Sequence, residues 1–138
     1  MNLSTIQKGD VSEAYATAKF KEMGVPVLEP VSDNQPYDLV IEKDNKFQKV
    51  QVKTGHISDE AVKFRCNRIH TNGSGHERKE YSKDDVDLFA IYVIETSNIY
   101  IVPFSEANKN DNKLWLNKSR GNSRSKYAEN FKLTERFK

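Results

Sequence analysis

The sequence predicts a mixed α/β (α+β) fold, with a central sheet flanked by helices, in one domain spanning residues 1–138. Three observations predict it. Apolar residues recur at helical spacing over residues 10–23, two β-forming runs flank a polar turn over residues 37–53, and residues 87–94 form the most apolar run of the chain. Neither an internal repeat nor a linker interrupts this order.

The first predicted element is an amphipathic helix over Asp10–Met23. Gly24 is expected to end it, and Val25–Glu29 is expected to form a short strand. Within the helix, Asp10 and Glu13 have the spacing of an N-cap residue and its N3 partner. That capping role would by itself account for Glu13.

The second element is a hairpin, with Asp44 and Asn45 at the two turn positions. This register places Asp38 opposite Gln51. Because side chains in strands alternate between faces, Lys53 shares the face of these two residues. The other face of the hairpin is apolar, with Leu39, Val50 and Val52. A carboxylate, an amide oxygen and an ammonium group therefore cluster on one side.

This cluster has the chemistry of a divalent metal site that activates water beside a phosphate. Mg²⁺ prefers oxygen ligands and keeps several waters, so one or two carboxylates suffice. We expect Asp38 to anchor the ion, with further ligands from the Gln51 side chain, the Val52 carbonyl and Glu13. Lys53 would orient the attacking water or stabilise developing negative charge. The alternative is an ordinary solvent-facing strand, which also alternates polar with apolar residues.

Residues 61–69 alternate apolar with polar side chains, which predicts a half-exposed strand containing Cys66 as a small buried residue. Residues 71–76 are rich in Gly, Ser and Asn, which predicts a flexible loop that Arg78 and Lys79 continue.

The apolar run over residues 87–94 predicts a central strand buried on both faces. A second strand over residues 99–102 is expected to follow, closed by Pro103, and Ser105 is expected to cap a short helix through Asn108. In the polar C-terminal third, three aromatic residues are expected to anchor the chain: Trp115, Tyr127 and Phe131.

Charge distribution and cysteine content indicate what the protein binds and where it is found. The net charge of +2 is small, but eight basic residues follow residue 112 against only two acidic ones, Glu129 and Glu135. A basic end is typical of a protein that binds a polyanion, although a solvated tail has the same composition. The single cysteine excludes an internal disulfide and predicts a cytoplasmic protein, and no apolar run approaches the length of a membrane span.

The ordered set of Glu13, then Pro36-Tyr37-Asp38, then Gln51-Val52-Lys53 resembles the PD-(D/E)xK nuclease superfamily. The segments over residues 80–92 and 99–103 are also similar to core strands of its group I intron-encoded homing endonuclease branch. The archaeal Holliday junction resolvases resemble the chain in size and layout. Position 51 is Gln where most members carry an acid, and the intron-encoded branch is similar in accepting Gln there.

This resemblance implies a restriction-endonuclease-like core of about four strands, a Mg²⁺ cofactor and a catalytic set of Glu13, Asp38, Gln51 and Lys53. It also implies double-stranded or branched DNA as the partner, and a homo-oligomer, a dimer or a tetramer, for cutting both strands. The basic segments supply the expected DNA contacts: Arg65, Arg68, Arg78, Lys79, Lys118, Arg120, Asn122, Arg124 and Lys126.

Three functions follow from these expectations. The first is a sequence-specific homing endonuclease. The second is a Holliday junction-resolving nuclease, which would recognise branched shape and not base sequence. The third is a catalytically weakened DNA-binding module of the same fold, which Gln51 motivates because an amide lacks the negative charge that attracts a metal ion.

Overall fold

The computed structural model describes residues 2–72 and 75–137, with the backbone alone for residues 68–72 and 75–79. Two α-helices are present in these ranges, α1 (Thr5–Glu22) and α2 (Leu133–Arg136). The strands are β1 (Val27–Leu28), β2 (Leu39–Lys43), β3 (Lys46–Ser58), β4 (Ala61–Arg65), β5 (Arg68–Asn72), β6 (Gly75–Lys79), β7 (Leu88–Val93), β8 (Asn98–Pro103) and β9 (Asp111–Trp115). Among the described residues, no helix has the length and apolarity needed to cross a membrane.

The main sheet is mixed and has seven strands, against the four expected. Its path runs β1-β2-β3-β4-β9, and β7 and β8 branch from β3. The β3–β7 pair is parallel, and the other pairs are antiparallel. The predicted mixed α+β class is therefore confirmed, and β3 is its organising strand, since β2, β4 and β7 all pair with it.

Strand β3 changes partners near Gly55. Residues 50–55 pair with β7, whereas residues 56–58 pair with β4. Gly55 is buried at this transition, and a Cβ atom added there would lie 2.7 Å from Cγ2 of Ile91. The absence of a side chain thus allows β3 and β7 to pack closely where the sheet divides.

Strand β7 is buried along its whole length, as predicted for residues 87–94. Its alternate side chains enter two separate cores. Leu88, Ala90 and Tyr92 pack in the core that contains α1 and α2. The other three pack in a core closed by β4, β9 and the 3-10 turn Ala128–Phe131: Phe89, Ile91 and Val93. Both helices therefore cover one face of β7, and strands cover the other.

Helix α1 begins at Thr5, five residues before the expected start at Asp10. Ser4 is the N-cap, and it forms a capping box with Gln7, whose side-chain oxygen accepts a hydrogen bond from the Ser4 N–H at 2.9 Å. The predicted capping role of Asp10 and Glu13 is therefore wrong. Glu13 lies in the middle of the helix, where a capping function does not explain it.

Other elements also differ from expectation. The strand over Val25–Glu29 shortens to the two residues of β1. The expected loop over residues 71–76 falls largely within the paired strands β5 and β6, and residues 73–74 lie outside the described residues. The helix expected from Ser105 is a 3-10 turn, Phe104–Glu106. Strand β9 was not expected, although its terminal residue Trp115 was predicted as an anchor.

Candidate active site

The β2–β3 hairpin has the predicted register. Lys43 pairs with Lys46, and Leu39 pairs with Val50. The two turn residues Asp44 and Asn45 have φ angles of 53° and 64°, as a two-residue type I′ turn requires. The hairpin has its apolar face in the core, where the side chains predicted to point inward are buried: Leu39, Val50 and Val52.

Asp38 is fixed across the hairpin by two hydrogen bonds. Its backbone N–H donates to the Val50 carbonyl at 2.9 Å. Its carboxylate oxygen Oδ2 accepts a hydrogen bond from the Val52 N–H at 2.8 Å. Burial raises the pKa of the Asp38 carboxyl, while the Val52 hydrogen bond and the positive charge of Lys53 lower it. The half-buried carboxylate is thus held in one orientation beside the strand that carries Gln51 and Lys53.

Glu13 reaches the same site from helix α1. The preceding residue, Ser12, is fully buried, and its Oγ lies 2.6 Å from Oγ1 of Thr54 on β3. This contact fixes one turn of the helix against the strand that carries Lys53. Desolvation raises the pKa of the Glu13 carboxyl, and the negative charge of Asp38 raises it further. The two carboxylates that the sequence placed 25 residues apart (38 − 13) therefore interact.

Lys53 lies on the face of β3 that carries Gln51, and two of its contacts hold its side chain. Its ammonium nitrogen Nζ donates a hydrogen bond to the Asn67 carbonyl at 3.0 Å. It also lies 5.0 Å from the centroid of the Tyr81 ring. Gln51 is half-buried two residues before it on β3. The predicted set of Glu13, Asp38, Gln51 and Lys53 is thus distributed over one helix and one hairpin that pack together.

The donors present suit a hard divalent cation. The available donor atoms are all oxygen: two carboxylates, the Gln51 amide oxygen and the Val52 carbonyl. Burial and, to a lesser extent, the negative charge of Asp38 raise the pKa of Glu13, and a bound cation would offset both effects. Within the described part of the chain, no group of three or more His, Cys, Asp and Glu side chains is placed to hold a metal. A metal site built on Glu13 and Asp38 would draw its further protein ligands from the Gln51 side chain or backbone oxygen.

A groove of about 1100 Å³ adjoins this site. Val52, Lys53 and Thr54 form one wall, and strands β4 and β9 form another. Its lining is strongly basic, with one acidic residue, Asp111. Besides Lys53, the cationic side chains that line it are Lys63, Arg65, Lys113, Arg124 and Lys126.

Three of the predicted DNA contacts, Arg65, Arg124 and Lys126, line this groove. Arg65 also pairs with Asp111 at 3.1 Å. Two lining residues were missed. Lys63 and Lys113 lie directly opposite each other on β4 and β9, which places two like charges side by side. The sequence signal for Lys113 was its place in the basic C-terminal stretch, but its strand pairing was not visible.

Three further predicted DNA contacts, Lys118, Arg120 and Asn122, are outside the groove lining. Lys118 forms an ion pair with Glu129, and Arg120 pairs with Glu60 at 3.2 Å. The Asn122 side-chain oxygen accepts a hydrogen bond from the Arg124 N–H at 2.9 Å, which shapes the loop after β9. The other three are on the β5–β6 hairpin, where the side chains lie outside the described part of the structure: Arg68, Arg78 and Lys79.

Cys66 has the expected structural role. It is buried immediately after β4, and burial raises the pKa of its thiol to about 12. A thiol with this pKa remains protonated at neutral pH and is a poor nucleophile. The basic groove and the acidic pair next to Lys53 are therefore the chemically distinctive features of this surface.

The chain is similar to known nucleases in sequence and in structure. A model of the PD-(D/E)XK endonuclease family matches residues 3–134. Protein 5.3 of Escherichia phage T7 is 35% identical over 92 residues, which is 67% of this chain and 75% of the phage protein. The structure of a bacterial homing endonuclease, I-Ssp6803I, superimposes with a TM-score of 0.77 at 27% identity, covering 96% of this chain and 90% of that one.

Proposed function

The chain belongs to the PD-(D/E)XK endonuclease family, and from this premise we propose that it is a Mg²⁺-dependent DNA endonuclease of the homing type. One observation carries the proposal. Asp38 interacts electrostatically with both Glu13 and Lys53, and Lys53 lines a groove whose charged side chains are basic apart from Asp111. A basic groove attracts the phosphate backbone of DNA, and through Lys53 it would bring that backbone towards the acidic pair.

Each residue has a role that its environment supports. Asp38, held by the Val52 N–H, and Glu13, held through Ser12, would be the carboxylate ligands of the ion, with Gln51 and the Val52 carbonyl beside them. A bound Mg²⁺ supplies Lewis acidity and lowers the pKa of its water. Lys53 carries a positive charge beside Asp38, where it would hold the attacking water or neutralise the negative charge that develops on the phosphate.

Two observations distinguish the candidate functions. The structural similarity to a homing endonuclease over nearly the whole chain favours the sequence-specific enzyme over a junction-resolving nuclease. Gln51 supports a second candidate, a DNA-binding module of the same fold with weakened cleavage. An amide contributes an oxygen ligand but no charge, so metal affinity is lower than with an acid at this position.

We also propose that the active form is a homo-oligomer, a dimer or a tetramer. One chain contributes one acidic pair and one Lys53, and cleavage of both strands of a duplex requires two such sites. Light scattering during size-exclusion chromatography gives the mass directly. A protein that remains at the monomer mass of 15.9 kDa while cutting both strands in a single binding event would contradict this proposal.

The cleavage assay incubates the protein with supercoiled plasmid, a randomised linear duplex library and a four-way junction, each in Mg²⁺ and in EDTA. We expect Mg²⁺-dependent cutting at a common sequence in the library, located by sequencing the new ends. Junction cutting without sequence preference would favour the resolving nuclease. Binding without cutting, restored by Gln51→Glu, would favour the weakened module.

Asp38→Asn and Lys53→Ala are expected to lower the cleavage rate by about 10²–10³ while DNA binding is retained. Asp44→Asn is the matched control, because it makes the same chemical change at the exposed turn of the same hairpin. Wild-type cleavage by Asp38→Asn would remove the proposed metal ligand and with it the proposed mechanism.

A further inference from the structure

The two residues that flank the β5–β6 hairpin in the sequence, Asn67 and Tyr81, both contact Lys53. Arg68 pairs with Lys79, so the two ends of the hairpin lie side by side. Asn67 precedes the hairpin, and its carbonyl accepts the hydrogen bond from Lys53 at 3.0 Å. Tyr81 follows the hairpin by two residues, and its ring lies 5.0 Å from the same ammonium nitrogen. Residues at both ends of one hairpin therefore hold a single side chain on β3.

Both contacts are anchored to the protein core. Cys66, the residue before Asn67, is buried, and its N–H donates to the Asn110 carbonyl at 2.9 Å. The Tyr81 ring packs edge-on against buried Phe89, with their centroids 5.5 Å apart. A carbonyl and an aromatic face attached to core residues present a fixed electronegative environment to the ammonium group.

Lysine requires such an environment more than other cationic residues do. Its charge is compact and lies at the end of a flexible four-carbon chain, so its position is defined only by what it contacts. A ring face attracts an ammonium group and excludes water from one side of it. The Asn67 carbonyl directs one of the three N–H donors of the ammonium group and so fixes the position of the nitrogen.

We propose that Tyr81 is a positioning residue for Lys53, and that it acts with the Asn67 carbonyl to hold the ammonium beside Asp38. The role assigned to Lys53 rests on the proposed function, whereas the contact itself does not. The relevant property of Tyr81 is its ring, so phenylalanine is expected to replace it and leucine is not.

The first test is NMR of lysine-labelled protein without metal or DNA, with the Lys53 signals assigned by comparison with Lys53→Arg. We expect the ε-methylene protons of Lys53 to show an upfield ring-current shift and nuclear Overhauser contacts to the Tyr81 ring. The shift is retained in Tyr81→Phe and lost in Tyr81→Leu. Unshifted protons with no such contacts in the wild-type protein would overturn the proposal, and this readout does not require Tyr81→Leu to fold.

The second test is the single-turnover cleavage rate with saturating Mg²⁺ and DNA. Tyr81→Leu is expected to reduce the rate about tenfold, while Tyr81→Phe stays within about twofold and the DNA dissociation constant is unchanged. Phe47→Leu, an aromatic-to-leucine change at the exposed end of the β2–β3 hairpin, controls for the loss of a ring. A wild-type rate in Tyr81→Leu would overturn the positioning role.

The two tests separate the proposals. If wild-type protein cleaves no DNA under any divalent metal, the proposed function fails, and the NMR contacts alone decide whether Tyr81 positions Lys53. If wild-type protein cleaves and the contacts are absent, the nuclease stands and the positioning role is rejected.

Discussion

Lys113→Gln tests whether the basic groove is the DNA-binding surface. Lys113 lines the groove opposite Lys63, so the substitution removes one of five cationic side chains there besides Lys53. Each phosphate contact contributes about −0.9 to the slope of log K against log salt concentration. The variant should therefore have a slope smaller in magnitude by about 0.9, which makes binding roughly eightfold weaker at 0.1 M salt and nearly equal to wild type at 1 M.

The folded protein should barely be affected. Repulsion between directly opposed like charges on paired strands destabilises by about 0.2–1 kcal/mol, and Lys113→Gln relieves it. The effect lies at the low end of that range because Lys63 is also paired with Asp59 at 3.0 Å. The same change removes the Lys113 contact with the Trp115 ring, 4.7 Å away, which at a partly exposed site stabilises by about 0.5–1 kcal/mol. These opposing effects nearly cancel, so the melting temperature should stay within about 2 °C.

The assay is fluorescence anisotropy of a labelled 20-base-pair duplex (about two turns) in EDTA, repeated over a range of salt concentrations. Lys46→Gln is the matched control. It also removes one of two directly opposed lysines, since Lys46 pairs with Lys43, but it lies at the hairpin turn and outside the groove lining. An unchanged slope in Lys113→Gln, or an equal decrease in Lys46→Gln, would refute the assignment of the groove.

Asp38→Asn should stabilise the metal-free protein at pH 8 and much less at pH 4, as followed by thermal melting. Burial raises the pKa of Asp38 above its ordinary 3.8, so the folded state binds the proton more tightly and stability falls as pH rises through that window; equal shifts at both pH values would contradict this. Gly55→Ala should lower the free energy of unfolding by about 1–3 kcal/mol in urea titrations, because the new methyl group meets Ile91 at 2.7 Å. Gly9→Ala, in open space on helix α1, should raise it by about 0.5–1 kcal/mol.

The β2–β3 hairpin and strand β7 were predictable because local chemistry determines them. A two-residue turn fixes the register of the whole hairpin, so identifying Asp44 and Asn45 was enough to place Asp38 opposite β3. Strand β7 is apolar on both faces, so both faces must be covered, which requires a central strand between two packed layers. That register alone determines which side chains share the hairpin face that carries the candidate active site.

Strand β9 was missed because a buried polar residue conceals its alternation. Asn112 takes a core-facing position, where its side chain exchanges hydrogen bonds with the Asn108 backbone: Oδ1 accepts from the N–H at 2.7 Å, and Nδ2 donates to the carbonyl at 3.0 Å. Only Leu114 then remains as a fully apolar inward residue. The sequence shows that Asn112 is polar, which predicts exposure. It does not show that the Asn108 backbone satisfies the side chain and so permits its burial.

The contacts that assemble the site are also nonlocal. Ser12 and Thr54 are 42 residues apart, and neither has a sequence signal that pairs it with the other. The true start of α1 was obscured for a different reason. Gly9 lies inside the helix, where glycine disfavours helical structure, and Asp10 directly after it is itself a favourable N-cap residue.

Gln51 connects the metal-binding and proton-binding properties of the site. The negative charge of Asp38 already raises the pKa of Glu13. If the proposed metal site is correct, a carboxylate at position 51 would add a third negative charge beside these two. The amide avoids that repulsion, so the two carboxylates ionise at lower pH than they would beside a third acid. Gln51→Glu should therefore bind Mg²⁺ more tightly at high pH but lose that advantage as pH falls, which isothermal titration at several pH values measures. A constant advantage at every pH would show that the three side chains do not share one electrostatic site.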